Sequence, residues 1–244
     1  MKGVILAGGK ATRLRPLTLV TNKHLLHIYN KPMIYYPLES MKKAGIRDVL
    51  IITNPEHAGQ FINLFRSGKE FGLRLFYEIQ DEAGGLSQAV NLAESFAEGE
   101  RVLVILGDNI FTHDLSGAVK KFQQRKKGAM IFAKEVENAR QYGVVELDRA
   151  GKVVSIVEKP SEPKSNLAQT GIYMYDERVF EMIKNLQPSA RGELEITDLN
   201  NFYVKDGTME CEVMQGWWVD AGTSFDDLLR ANRIVAEMVK QESS

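Results

Sequence analysis

Four apolar runs of strand length constrain this chain more than any other feature. They are "VILA" at 4–7, "RDVLIIT" at 47–53, "LRLFYEIQ" at 73–80 and "RVLVILGDN" at 101–109. Uninterrupted apolar strands separated by helical patterns point to a parallel sheet covered on both faces, a doubly wound α/β layout. Between the strands, "KPMIYYPLESMKKAGI" reads as a helix with Pro32 in its first turn and Gly45 at its stop. Pro37 within it predicts a kink or an early irregular turn. A further helix is expected after Gly84-Gly85, through "LSQAVNLAESFA".

The second half changes rhythm. "YGVVELDRAGKVVSIVEKP" reads as two short strands around a turn at Arg149-Ala150-Gly151, and "AQTGIYMYD" as another strand. "ARGELEITDLNNFYV" follows as a helix, and "MECEVMQGWWVDAGT" as a last strand and loop. No linker, low-complexity segment or repeat interrupts the 244 residues, so one domain over 1–244 is expected, a nucleotide-sized α/β half with a small mixed insert as the second wall of a cleft.

A formal net charge of −1 argues against general attraction to nucleic acid or anionic membrane. The chain opens on a strand, not a signal-like segment, and no apolar stretch is long enough to span a bilayer. The lone Cys211 supplies no disulfide and agrees with a cytoplasmic setting. The cations Lys10, Arg13 and Arg15 that follow Gly8-Gly9 therefore need a local explanation.

In open sheets of this kind ligands bind beyond the carboxyl ends of the strands. Here those ends carry Gly8-Gly9, Gln80 and Gly107-Asp108-Asn109. Paired glycines followed by cations suit a phosphate cradle, or equally a tight turn with solvated charges. Neither a Walker loop nor a dinucleotide fingerprint is present. Asp108 and Asp220 are candidate ligands for Mg²⁺, which prefers few hard oxygen donors. The alternative is helix capping, but Thr223 with Asp226, and Thr112 or Asp114, are available for that. Pro160 should hold Lys159 extended and aim the charges of Glu158-Lys159; a solvated strand end is the plainer reading. Tyr142-Gly143 offers a platform and bare backbone for a sugar, or simply a strand entry. His24, His27, His57 and His113 show no metal-ligand spacing and read as structural. Trp217-Trp218 reads as packing, with Trp218 notable for its place near Asp220.

Together "LAGGKATRLRPLT", "NKHLL", "GDN", "YGVV", "EKP" and "WWVDAGT" resemble the sugar-1-phosphate nucleotidyltransferases. "KPMIYYPL", "GDNIF", "EKPSEPKSN" and "PSARGELEITD" narrow the likeness to the glucose-1-phosphate thymidylyltransferases, in order along essentially the whole chain. The resemblance implies a nucleotidyltransferase-like fold in which the insert binds sugar. It also implies attack of glucose 1-phosphate on the α-phosphate of dTTP, giving dTDP-glucose and pyrophosphate. By the same likeness Gly8 and Gly9 meet the nucleotide, Arg13 neutralises the triphosphate, and Lys23 sits among the reacting phosphates. Gln80 reads the pyrimidine edge and Gly85 packs on the base. Asp108 and Asp220 hold Mg²⁺, and Asn109, Tyr142, Gly143 and Glu158 line the sugar pocket. Lys159 and Arg191 hold the sugar phosphate, and a homo-oligomer is implied.

Two departures stand out. Ala11 occupies a place where the family has glycine, and a Cβ there makes close phosphate approach or positive φ costly. His27 replaces a usual proline. The chain also ends soon after one terminal helix, so assembly or regulation through longer carboxyl-terminal segments is not assumed. Two rivals stay open: a UTP-dependent uridylyltransferase, because an amide at Gln80 suits either imide, and a non-catalytic nucleotide-sugar sensor.

Overall fold

The computed structural model describes residues 1–242. In chain order it contains β1 (Lys2–Ala7), a short hairpin of β2 (His27–Ile28) and β3 (Lys31–Pro32), α1 (Tyr35–Lys43), β4 (Asp48–Thr53), α2 (Ala58–Phe65) and β5 (Arg74–Ile79). Then come α3 (Leu86–Asn91), α4 (Glu94–Ala97), β6 (Val102–Leu106), β7 (Asn109–Phe111) and α5 (Ser116–Gln123). The second half holds β8 (Ala129–Glu135), β9 (Gly143–Leu147), β10 (Val153–Glu158), β11 (Leu167–Tyr175), α6 (Val179–Lys184), α7 (Ile196–Lys205), β12 (Met209–Val213), β13 (Trp218–Asp220) and α8 (Phe225–Glu242).

Nine strands form one sheet in the order β10-β9-β11-β6-β1-β4-β5, with β8 paired to β11 and β12. The first-half strands pair in parallel, as their unbroken apolar runs require. The sheet as a whole is mixed, because β11 joins β6 antiparallel and carries the antiparallel β8 and β9 with it.

Alternation along β1 shows why apolar residues are needed at every position. Val4 and Leu6 face one core with Val90 of α3, Phe180 of α6 and Tyr203 of α7. Ile5 and Ala7 face another with Leu38 of α1, Phe61 of α2 and Phe122 of α5. Each fully buried aliphatic side chain of this kind contributes about 1.5–3 kcal/mol. By contrast β5 is an edge strand with Arg74, Phe76 and Glu78 turned outward, so it is only half of the buried strand expected.

Several boundaries differ from expectation for identifiable reasons. Pro32 lies in β3, outside α1. Pro37 sits in the first turn of α1, where its missing N–H has no helical partner to lose, and the helix continues without a break. The helix after Gly85 divides into α3 and α4, separated by Leu92 and Ala93. α7 starts only at Ile196, because 190–195 is tied to the loop before α3 through Leu194 N–H to the Gly84 carbonyl (2.9 Å). The strand β8 adds to the expected set. The cap of α8 is Ser224, whose hydroxyl accepts from Asp227 N (3.0 Å), one residue beyond the expected Thr223–Asp226 pair. Asp114 does precede α5, accepting from Ser116 N at 2.9 Å.

Ala11 adopts a left-handed conformation, φ 48° and ψ 41°, the geometry at which its Cβ is costly. That penalty is about 1–2 kcal/mol, partly offset by the roughly 0.5–1 kcal/mol entropy cost of glycine. Ala11→Gly is therefore expected to raise the melting temperature by about 1–3 °C, read by calorimetry; a fall would show that the loop is not strained.

Candidate active site

Two adjoining cavities open at the carboxyl ends of β1 and β6. One, of about 230 Å³, is lined by Gly8, Gly9, Lys23, Gln80, Gly85 and Asp108. The other, of about 240 Å³, is lined by Asn109, Tyr142, Gly143, Glu158, Lys159, Arg191 and Asp220. Leu86, Leu106 and Glu193 belong to both. Of the site residues expected from sequence only Arg13 lines neither; it is exposed on the turn Thr12–Leu14, within electrostatic reach of Lys23. A larger cavity of about 490 Å³, lined by Tyr36, His113, Trp217 and Met238 among others, contains none of them.

Strand pairing brings distant residues together. β13 runs antiparallel to β7 with Asp220 opposite Asn109, and Ala221 N donates to the Asp108 carbonyl at 3.0 Å. Trp218 Nε1 (2.6 Å) and Gly171 N (2.9 Å) both donate to Asn109 Oδ1, leaving its amide nitrogen for Asp108 Oδ1 at 3.3 Å. Tyr142 meets the Trp218 ring edge-on at 5.4 Å. Trp218 therefore orients the site as well as packing.

Lys23 Nζ is bonded to Asp108 Oδ2 in a nearly enclosed pair. Burial disfavours charge on Lys23, but Asp108 and then Asp220 outweigh it and raise its pKa. At Asp108 burial likewise opposes ionisation, yet Lys23 holds the carboxyl low, at about 2. Burial first, and the charge of Asp108 second, push Asp220 up to about 7. Below about pH 7, where Asp220 holds its proton, one lysine faces one ionised carboxyl and the cluster is balanced. A Cβ at Gly222 would collide with Asp108 Oδ2 and Lys23 Nζ, so glycine is required there; this residue went unremarked in the sequence.

The cations of the second cavity are also paired with carboxylates. Lys159 Nζ lies 3.3 Å from Glu158 Oε1, and Arg191 Nη2 donates to both oxygens of Glu195, at 2.8 and 2.9 Å. Lys159 is not extended: its φ is 42°, against the ordinary preference before proline, with its N–H donating to the Tyr142 carbonyl (3.0 Å). Such strain survives only where surrounding contacts over-determine the backbone. Thr197 Oγ1 donates to Glu158 Oε2 (2.8 Å), and Asn200 Nδ2 to Gln169 Oε1 (2.8 Å). Neither Thr197 nor Gln169 was singled out in the sequence, because Gln169 reaches the cavity, and Thr197 reaches Glu158 beside it, only through pairing of distant segments.

The bare backbones have distinct causes. A Cβ on Gly8 would lie 2.7 Å from Gln80 Oε1. Gly85 has φ +97°, and a Cβ there would lie 2.6 Å from the Leu194 carbonyl. His24 is buried, its Nδ1 2.6 Å from Asn22 Oδ1, and burial and then Lys23 depress its pKa to about 3. It stays neutral, in keeping with a structural role.

A glycine-bordered cavity abuts a polar, cation-bearing one, with two carboxyls and a lysine lining the pair, an arrangement chemically suited to group transfer between anionic substrates. The chain belongs to the nucleotidyl transferase family, which it matches over residues 2–238. It is 46% identical to the glucose-1-phosphate thymidylyltransferase of Neisseria meningitidis, covering 91% of this chain and 78% of that one. It is 45% identical to the enzyme of that name from Mycolicibacterium smegmatis, covering 96% and 82%. A Bacillus anthracis structure described as a glucose-1-phosphate thymidylyltransferase with sucrose superposes with a TM-score of 0.92 at 49% identity, over 96% of this chain and 94% of that one. A UDP-glucose pyrophosphorylase bound to UDP-glucose gives 0.87 at 25%, over 97% and 98%.

Proposed function

We propose that this chain transfers a thymidylyl group from dTTP to glucose 1-phosphate, yielding dTDP-glucose and pyrophosphate. One observation carries the reading: Lys23, Asp108 and Asp220 meet where the two cavities adjoin. The relatives of that name at 42–46% identity support the choice of base over uridylyl transfer, whose structural neighbour is only 25% identical. Lys23 and the paired carboxylates favour an enzyme over a sensor.

Gly8, Gly9, Gln80 and Gly85 would receive the nucleotide, with Arg13 at the triphosphate. Asn109, Tyr142, Gly143 and Glu158 would receive the sugar. Lys159 and Arg191 would leave Glu158 and Glu195 for the sugar phosphate. Its oxygen attacks the α-phosphorus as the bond to the pyrophosphate oxygen breaks. A phosphate needs no base to ionise it at neutral pH, so positioning and charge stabilisation suffice. At about 4 Å and an effective dielectric near 20, each pair of like charges repels by roughly 4 kcal/mol; Lys23 would offset this where the two substrates meet.

Asp108 and Asp220 suit Mg²⁺: they are a buried and a half-buried hard-oxygen donor with no third His, Cys or carboxylate grouped with them among the described residues, leaving other positions for phosphate and water. When bound, the ion would neutralise charge developing on the phosphates. The reading takes 1–244 as one domain, supported by the sheet shared between both halves, and as a cytoplasmic homo-oligomer on family resemblance. No described helix is long and apolar enough to cross a membrane.

The test is pyrophosphate release across a panel of nucleoside triphosphates and sugar 1-phosphates with Mg²⁺. Release is expected with dTTP and glucose 1-phosphate together and with neither alone; no turnover anywhere in the panel sinks the reading. A pH prediction follows from Asp220. Its raised pKa means the folded chain holds an extra proton between the ordinary value of 3.8 and about 7, so this group favours folding at low pH and loses that contribution as pH rises. An ion needs the deprotonated form. Mn²⁺ affinity is expected to fall about tenfold per pH unit below 7, and a flat profile between pH 5.5 and 8 would remove Asp220 from the site.

A further inference from the structure

The amide of Gln80 is symmetric in shape but not in chemistry, since one end accepts and the other donates. Its orientation is set by two bonds. Gly84 N donates to Gln88 Oε1 at 3.2 Å, which identifies that end of Gln88 as the oxygen. Gln80 approaches the same oxygen at 2.7 Å and must present Nε2 to it. Gln80 Oε1 is then left beside Gly8 at the nucleotide-side cavity. Gly84, half-buried at the mouth of α3, is itself fixed by accepting from Leu194 N (2.9 Å).

We propose that Gln88 is the positioning residue that makes this site accept imide pyrimidines and refuse cytosine. The inference rests on the reading of Gln80 as the residue facing the base. Thymine and uracil carry a ring N3–H beside a carbonyl. A held Gln80 offers Oε1 to that N–H, and its second Nε2 hydrogen to the carbonyl. Cytosine carries a bare N3 with an amino group at C4, so the same amide would set oxygen against the N3 lone pair and, on the C4 side, N–H against N–H. An unrestrained glutamine would turn over and satisfy cytosine instead. Discrimination here comes from refusing the wrong base as much as from holding the right one. Gln88 draws no line between dTTP and UTP, which share the imide edge.

The experiment measures kcat/KM for dTTP and dCTP with glucose 1-phosphate, and binding of each triphosphate by calorimetry. Gln88→Leu is expected to shrink the dTTP-to-dCTP ratio at least about tenfold, chiefly by a gain for dCTP. Gln88→Glu keeps an acceptor in place and should hold the ratio within about threefold of the parent. Melting curves check that both variants fold. Equal losses for the two triphosphates in Gln88→Leu would leave Gln88 a merely structural residue and overturn the proposal. Gln80→Leu separates the two failures. If it leaves the ratio unchanged, the reading of the base site falls; if it erases the ratio while Gln88→Leu does not, only the role of Gln88 falls.

Discussion

Replacing Asp108 with asparagine is expected to lower kcat/KM by about 10³-fold or more, roughly 4 kcal/mol of transition-state stabilisation. The substitution is isosteric, so it changes charge and little else. Asp108 Oδ2 holds Lys23, and Oδ1 accepts from Asn109. An amide keeps one acceptor but removes a hard anionic donor from a pair that has only Asp220 as its second member. The fold should survive, because Asp220 compensates. Part of its raised pKa comes from Asp108, so removing that charge lets Asp220 ionise and pair with Lys23. The buried cluster stays balanced, which avoids the 3–5 kcal/mol cost of an uncompensated buried charge. Thermal unfolding should shift by only a few degrees while Mn²⁺ binding is lost. Near-normal turnover with Mn²⁺ binding intact would retract the metal assignment.

Much of this arrangement was legible in the residues. β1, β4 and β6 could be read because both faces are buried, which leaves no polar alternation to mistake for something else. Gly8, Gly9, Gln80 and Asp108 come together in one cavity because strand ends in such a sheet gather at one edge. What escaped was set by contacts between remote segments. β8 is defined by pairing to β11 and β12 more than by its own pattern. Lys159 should be extended before proline, yet its N–H is drawn to the Tyr142 carbonyl and its backbone turns left-handed. Gly222 matters only because β13 folds back on β7 and carries the glycine onto Asp108. Nothing in the sequence around 88 indicates that one glutamine orients another. Local propensity reaches as far as the element, and tertiary pairing decides the rest.

Lys23→Met should lower kcat/KM by about 10²–10³-fold, the range seen when a single stabilising donor is removed from a reacting centre, and its other effects should differ from those of Asp108→Asn. Lys23 lines the same cavity as Gly8 and Gly9, and its only described ion pair is with Asp108. Methionine keeps the length of the side chain and removes the cation. Asp108 and Asp220 are then left facing each other, and two such carboxyls titrate as a unit that retains one proton. A divalent ion is the natural replacement for the missing charge. Mn²⁺ binding to the ligand-free variant should therefore persist or strengthen, and Mn²⁺ should raise its melting temperature more than that of the parent chain. Turnover would stay low even at saturating Mn²⁺, because the ion takes over the carboxylates but not the contact with phosphate. Should Lys23→Met lose ion binding as completely as Asp108→Asn, the lysine would be a support for the carboxylates and no partner of the substrates. Full activity restored by excess Mn²⁺ would make it only a placeholder for the ion.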